Sequence, residues 1–144
     1  EFDLGGLILA VDKDPKVIDV YKRWLAGYNV TVIALTELQQ VATVARGLQP
    51  AAITLDISMQ ASGPTPTTIV DGWSVLSELK SQPSTRDIPV VICSLVAEQE
   101  KALSMGAAGY LLKPILEGDL LQALRTAQKQ RAEIDQQKAA NRNS

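Results

Sequence analysis

Five short apolar runs punctuate the chain, and each leads into a segment whose apolar residues recur at helical spacing. The runs are Leu7 to Val11, Val30 to Ala34, Ala52 to Leu55, Val90 to Cys93 and Gly109 to Leu112. Continuous apolar runs of this length fit strands buried on both faces. After the first, Asp14 can cap a helix with Pro15 in its first turn, Val17, Ile18, Tyr21 and Leu25 on one face, and Gly27 at its end. After the second, Thr36 and Gln39 have the spacing of a capping box, and Leu38, Val41, Ala42, Ala45 and Leu48 line a helix closing near Gly47. Val75, Leu76 and Leu79 mark a third helix, residues 98–105 a weaker fourth, and Leu120, Leu121, Leu124 and Ala127 a fifth. Such alternation specifies an α/β fold, one parallel sheet with helices on both faces. Right-handed crossovers then carry every strand's carboxyl end to one edge, where ligands bind in sheets of this kind.

Asp12, Lys13, Asp14, Asp56, Ser94 and Lys113 fall at that edge. Composition narrows what they can do. The chain has no histidine, which removes imidazole bases, His-based metal sites and Ser-His-Asp or Cys-His nucleophiles. Chemistry is left to carboxylates, lysine, hydroxyls and backbone. Cys93 is the only cysteine, so an internal disulfide is excluded and a reducing, cytoplasmic setting is expected. A net charge of −2 gives no electrostatic case for direct contact with nucleic acid or an anionic membrane. No apolar run reaches membrane-spanning length. The chain opens on Glu1 rather than Met, and the expectation is a piece of a longer protein. Residues 1–6 read as an N-terminal extension, 7–127 as the folded domain, and 128–144 as a polar helical extension that frays or a linker.

Each edge residue has a bland alternative. Asp56, directly after "AAITL", could cap a turn. With Asp12 and Lys113 expected nearby, it reads instead as a nucleophilic carboxylate able to form an acyl phosphate, a reaction that needs in-line positioning and charge neutralisation. Lys113, in "YLLKPI", could be a surface lysine at a strand end, but the following proline restricts it and is a candidate cis site. Ser94 could be an ordinary turn residue. Cys93, inside an apolar run, reads as inert core.

The segments "LILAVDKDP", "ITLDISM", "DGWSVLSEL", "IPVVICSL" and "GAAGYLLKPI" give the chain a close resemblance to the receiver domains of bacterial two-component response regulators, from about Leu7 to Ala127. The resemblance implies a flavodoxin-like (βα)5 fold with strand order 2-1-3-4-5. It implies that Asp56 accepts a phosphoryl group from a histidine kinase or phosphotransfer domain and thereby switches a face read by a downstream protein or the parent's own output domain. Asp12 and Asp56, with the backbone carbonyl of Ser58, would hold Mg2+. Ser94 and Lys113 would contact the phosphoryl oxygens, and Tyr110 would change rotamer as the signal passes. By the same resemblance the domain is not an enzyme, beyond assisting its own phosphorylation and dephosphorylation. Homodimerisation through the face of the fourth and fifth helices is left open.

Three departures stand out. Lys13 occupies the second position of the family's acidic pair, normally the direct Mg2+ ligand. An ammonium about 4 Å from a dication would repel it by roughly 8 kcal/mol at an effective dielectric of 20. Two escapes are open: Lys13 swings into solvent while Asp14 becomes the ligand, or its ammonium replaces the metal and pairs with Asp56. Second, 14 residues separate Asp56 from Asp71-Gly72, more than the family's usual connection, with Gln60 where a proline is expected. Their Thr, Pro, Gly and Ser content reads as an inserted loop. Third, Leu95 follows Ser94 where a small residue usually keeps the pocket open, so it should narrow access. The alternative reading is therefore a pseudo-receiver, an interaction module that is not phosphorylated because of Lys13. A third reading, a small phosphatase or nucleotide-binding domain of like topology, is disfavoured because this chain has neither a glycine-rich phosphate loop after the first strand nor a second acid two residues after Asp56.

Overall fold

The β2-β1-β3-β6-β7 order of the main sheet follows from buried apolar strands joined by helices. The computed structural model describes residues 3–62, 65 and 67–142. The strands are β1 (Leu7–Val11), β2 (Thr31–Leu35), β3 (Ala52–Asp56), β6 (Val90–Ser94) and β7 (Gly109–Leu112), all parallel. A separate two-stranded ribbon, β4 (Gln60–Ser62) with β5 (Ile69–Asp71), lies between β3 and the third helix. Counted without that ribbon, the order is the expected 2-1-3-4-5.

Alternation along the strands divides the core into two. Leu9, Val11, Ile53, Leu55 and Ile92 face α2 (Val41–Leu48) and α3 (Gly72–Ser81), meeting Val41, Ala45, Val75, Leu76 and Leu79. On the opposite face Ile8, Ala10, Val91 and Cys93 meet Ile18, Tyr21 and Leu25 of α1 (Pro15–Leu25) and Leu120 and Leu124 of α5 (Glu117–Arg142). The short α4 (Gln99–Ser104) adds Ala102 to the first cluster.

The structure departs from the sequence reading in three places. The Thr36–Gln39 capping pair does not form; a 3-10 turn over Leu38–Gln40, with Glu37 as an N-cap lacking a side-chain bond, leads into α2 at Val41. That helix closes at Leu48, near Gly47 as expected, and the left-handed residue that caps it is Gln49, with φ of 48°. Its side-chain amide donates to the carbonyls of Arg46 (3.2 Å) and Ser84 (3.0 Å), which holds a non-glycine residue there. Second, the inserted loop is partly regular: Gln60 pairs with Asp71 and Ala61 with Val70, while residues 63, 64 and 66 lie outside the described residues. Met59, Ala61 and Val70 pack onto the first core cluster and give the ribbon its inner side. Third, α5 outruns its buried apolar stripe, which ends at Ala127. It runs unbroken to Arg142 because polar side chains hold it: Arg131 donates to the Asp87 carbonyl (3.0 Å), Lys138 pairs with the Asp87 carboxylate, and Gln128 donates to the Asp3 carbonyl (2.9 Å).

The ribbon closes at Gly72, the first residue of α3. Asp71 caps that helix by accepting from the Ser74 N–H at 2.8 Å, while the Asp71 N–H donates to the Ser74 hydroxyl at 3.2 Å. A Cβ on Gly72 would lie 2.7 Å from the Ile57 carbonyl oxygen, so backbone meets backbone at this point. Gly72→Ala is therefore expected to destabilise the fold by about 1–3 kcal/mol in urea unfolding. Gly118→Ala, where nothing lies within 4 Å of the added Cβ, should leave stability equal or raise it by up to about 1 kcal/mol.

Candidate functional site

Strand ends bring four of the predicted residues together at the carboxyl edge. Asp12 follows β1, Asp56 ends β3, Ser94 ends β6 and Lys113 follows β7. The Lys113 N–H donates to the Ser94 carbonyl at 2.7 Å, extending the β6–β7 pairing by one residue and fixing where the lysine stem starts. The Lys113–Pro114 bond is cis, as the sequence allowed.

The lysine ammonium joins the two acids. Lys113 Nζ lies 3.0 Å from Asp12 Oδ2 and 3.3 Å from Asp56 Oδ2. Both acids are buried, with residue exposures of 3% for Asp12 and 2% for Asp56. Their remaining oxygens also have partners. The Asp14 N–H donates to Asp12 Oδ1 at 2.9 Å, and Asp56 Oδ1 accepts from the Ser58 N–H at 3.0 Å and the Ser58 hydroxyl at 2.7 Å. The hydroxyl contact was not anticipated; the signal for it was a serine two residues beyond a turn-entering aspartate, the spacing of a side-chain-closed turn.

Lys13 takes no part in this network. It is exposed, and among the described residues it enters no ion pair. Of the two escapes left open for Lys13, the structure has its side chain in solvent, and the ammonium beside Asp56 is that of Lys113. Nor is Asp14 turned toward the acids: exposed, it accepts from the Lys16 N–H at 3.0 Å as the N-cap of α1. Leu95, expected to narrow the pocket, is 70% exposed and stands in solvent.

Ser94 and Tyr110 are linked through one loop. The Ser94 hydroxyl accepts from the Val96 N–H at 3.0 Å. The half-buried Tyr110 hydroxyl donates to the Val96 carbonyl and accepts from the Glu98 N–H at 2.9 Å. Lys101 of α4 lies over the Trp73 ring of α3 at 4.2 Å, a cation–π contact that tethers the same region. Beneath the acids, the Tyr21 hydroxyl donates to Cys93 Sγ at 3.9 Å. Burial pushes the Cys93 thiol up to about 12, in keeping with a core role.

Hard oxygen donors suit Mg2+, and Asp12, Asp56 and the Ser58 carbonyl are of that kind. They do not complete a set. Among the described residues no group of three His, Cys, Asp or Glu side chains is placed to share a metal ion. Lys13 stands where the sequence calls for the third acid, and Lys113 already sits between the other two.

Burial alone would lower the Lys113 pKa, but the hydrogen bond and charge of Asp12, then the charge and hydrogen bond of Asp56, raise it overall. A raised folded-state pKa contributes stability that is complete below the unfolded value near 10.5 and is lost as pH climbs through the folded value. Lys113→Met should leave two buried carboxylates without their cation, costing on the order of 3 kcal/mol at neutral pH, at the lower end for buried pairs because the ammonium keeps some solvent contact. Denaturant melts from neutral to strongly alkaline pH should show wild type losing its advantage over Lys113→Met only on the alkaline side.

Comparison with known proteins agrees with this architecture. The response regulator receiver domain model matches residues 8–125. The transcriptional regulatory protein PrrA of Mycobacterium leprae is 33% identical over 120 residues, covering 79% of this chain and 46% of that protein. The response regulator PleD of Caulobacter vibrioides is 32% identical over 137 residues, covering 92% of this chain and 28% of that protein. The chain thus spans less than half the length of these curated relatives. Among solved structures, a response regulator receiver domain protein from Clostridium thermocellum superposes with a TM-score of 0.74 at 20% identity, covering 90% of this chain and 98% of that one. NtrX from Brucella abortus, in complex with ADP, gives a TM-score of 0.77 at 21% identity over 92% of this chain and 29% of that one. From the sheet order, the acids at its carboxyl edge and the family match together, the chain belongs to the response regulator receiver domains of two-component signal transduction.

Proposed function

We propose that this receiver is a phosphorylatable switch with Asp56 as the acceptor. The reading rests on one observation: a lysine ammonium 3.3 Å from the Asp56 carboxylate and 3.0 Å from Asp12, at the open edge of a parallel sheet. In the transfer, an Asp56 oxygen bonds to phosphorus as the donor's bond to phosphorus breaks, and the leaving group departs with the electron pair. Negative charge is spread over the phosphoryl oxygens throughout, and Lys113 is positioned to neutralise it without reorganisation. Membership of the receiver family makes a histidine kinase or phosphotransfer domain in a cytoplasmic setting the donor, and a chain without histidine is consistent with a donor on another domain.

The switch follows from the Ser94 hydrogen bond. A phosphoryl group on Asp56 is a charged acceptor for the Ser94 O–H, and rotating the side chain toward it would take its oxygen away from the Val96 N–H that it now accepts from. Turning that hydroxyl releases Val96, whose carbonyl anchors Tyr110. The Tyr110 ring and α4 then share two arrangements whose balance phosphorylation biases, which is the requirement for a signal at a distance. The exposed surface around Leu103, Leu112 and Leu116 lies beside these elements and is where a downstream protein or output domain would read the change.

Incubation with acetyl phosphate followed by intact mass measurement should show one added phosphoryl group, absent in Asp56→Asn. An unmodified mass under all donor conditions would instead favour an interaction module without phosphotransfer. In the phosphorylated chain, Tyr110→Phe should leave the adduct yield within about twofold while weakening the coupling of α4, read as a smaller shift of the α4 amide resonances.

A further inference from the structure

Receiver domains generally bind Mg2+ at the phosphorylation site. We infer that this one supplies its own cation instead: in the unphosphorylated chain Lys113 is the counterion of the Asp12–Asp56 pair, and no divalent ion is resident there. The inference builds on the receiver reading for its meaning but concerns metal affinity, which is measurable without any phosphorylation.

Three observations converge. The donor set is short by one acid. Mg2+ demands near-octahedral oxygen coordination and dehydrates reluctantly, so it is held through carboxylates that leave room for its waters. Here the residue after Asp12 is a lysine, and the next acid is engaged elsewhere, because Asp14 caps α1 through the Lys16 N–H. An inward turn of the Asp14 side chain would give up that cap, and its backbone N–H already donates to Asp12 Oδ1.

Every oxygen of the two remaining acids also has a partner. Lys113 contacts one oxygen of each, and the other oxygens accept from Asp14 and Ser58. With exposures of 2–3%, the pair gives a hydrated ion little approach unless Lys113 withdraws. Finally, the Lys113 ammonium already offsets one of the two buried carboxylates, which weakens the pull on a dication at the edge. Lys13 is exposed and screened, so its main effect is the loss of a ligand rather than added repulsion.

The test is a Mg2+ titration of the full chain, followed by tryptophan emission from Trp24 and Trp73 and by amide shifts of residues 12–14 and 56–58, with Asp56→Asn as the control for binding elsewhere. Wild type should give no saturable response that depends on Asp56, and Lys13→Asp should gain one, at least tenfold tighter. Saturable wild-type binding in the submillimolar range that Asp56→Asn abolishes overturns the inference, as does a folded Lys13→Asp variant that responds no better than wild type. Acetyl phosphate treatment in EDTA and in Mg2+ separates this idea from the acceptor reading. Equal adduct in both supports the two together, and adduct in Mg2+ alone overturns the inference while keeping Asp56 as acceptor. No adduct in either removes the acceptor reading, and the metal titration then decides the inference alone.

Discussion

Two carboxylates buried within reach of each other would repel strongly without a cation between them. In this chain the cation is Lys113, and the local architecture serves to place it. The β6–β7 pairing and the Lys113 N–H bond to the Ser94 carbonyl set the lysine stem, and the parallel register of β1 and β3 sets the acids opposite it. The core below is ordinary in composition. It positions the ion triad because a sheet buried on both faces does not shift without disturbing both core clusters.

The same triad underlies the proposal that the site is a switch rather than only a brace. An ammonium shared by two acids can follow charge as it appears on one of them. A hydroxyl whose oxygen merely accepts a turn-closing N–H, as that of Ser94 does, can offer its own proton to a new acceptor. On the proposed reading the loop after β6 would be the element that changes arrangement, and in this structure Tyr110 ties it down through both Val96 and Glu98.

Much of this was legible in the sequence because it depends on period and order. Apolar runs separated by amphipathic segments dictate the sheet topology, and strand ends then dictate which polar residues meet; Asp12, Asp56 and Lys113 followed from that reasoning. What could not be read depended on side-chain direction and short-range competition. Lys13 could turn toward the acids or away, and only the triad formed by Lys113 decides it. Thr36 and Gln39 have capping spacing, but Leu38 and Val41 bury first and a 3-10 turn results. The ribbon β4–β5 was hidden because three-residue strands are too short to show alternation. The polar tail of α5 gave no apolar stripe, and its anchors are instead an arginine and a lysine on one aspartate.

The meeting of Gly72 with Ile57 has a consequence for how such a chain can vary. The pairing of Gln60 with Asp71 and the backbone contact at Gly72 cinch the two ends of the insertion together, immediately past the turn that carries Ser58. Whatever length or composition lies between those ends is mechanically insulated from the acidic turn, like slack beyond a knot. Residues can thus accumulate next to the most constrained carboxylate in the molecule without loosening its geometry.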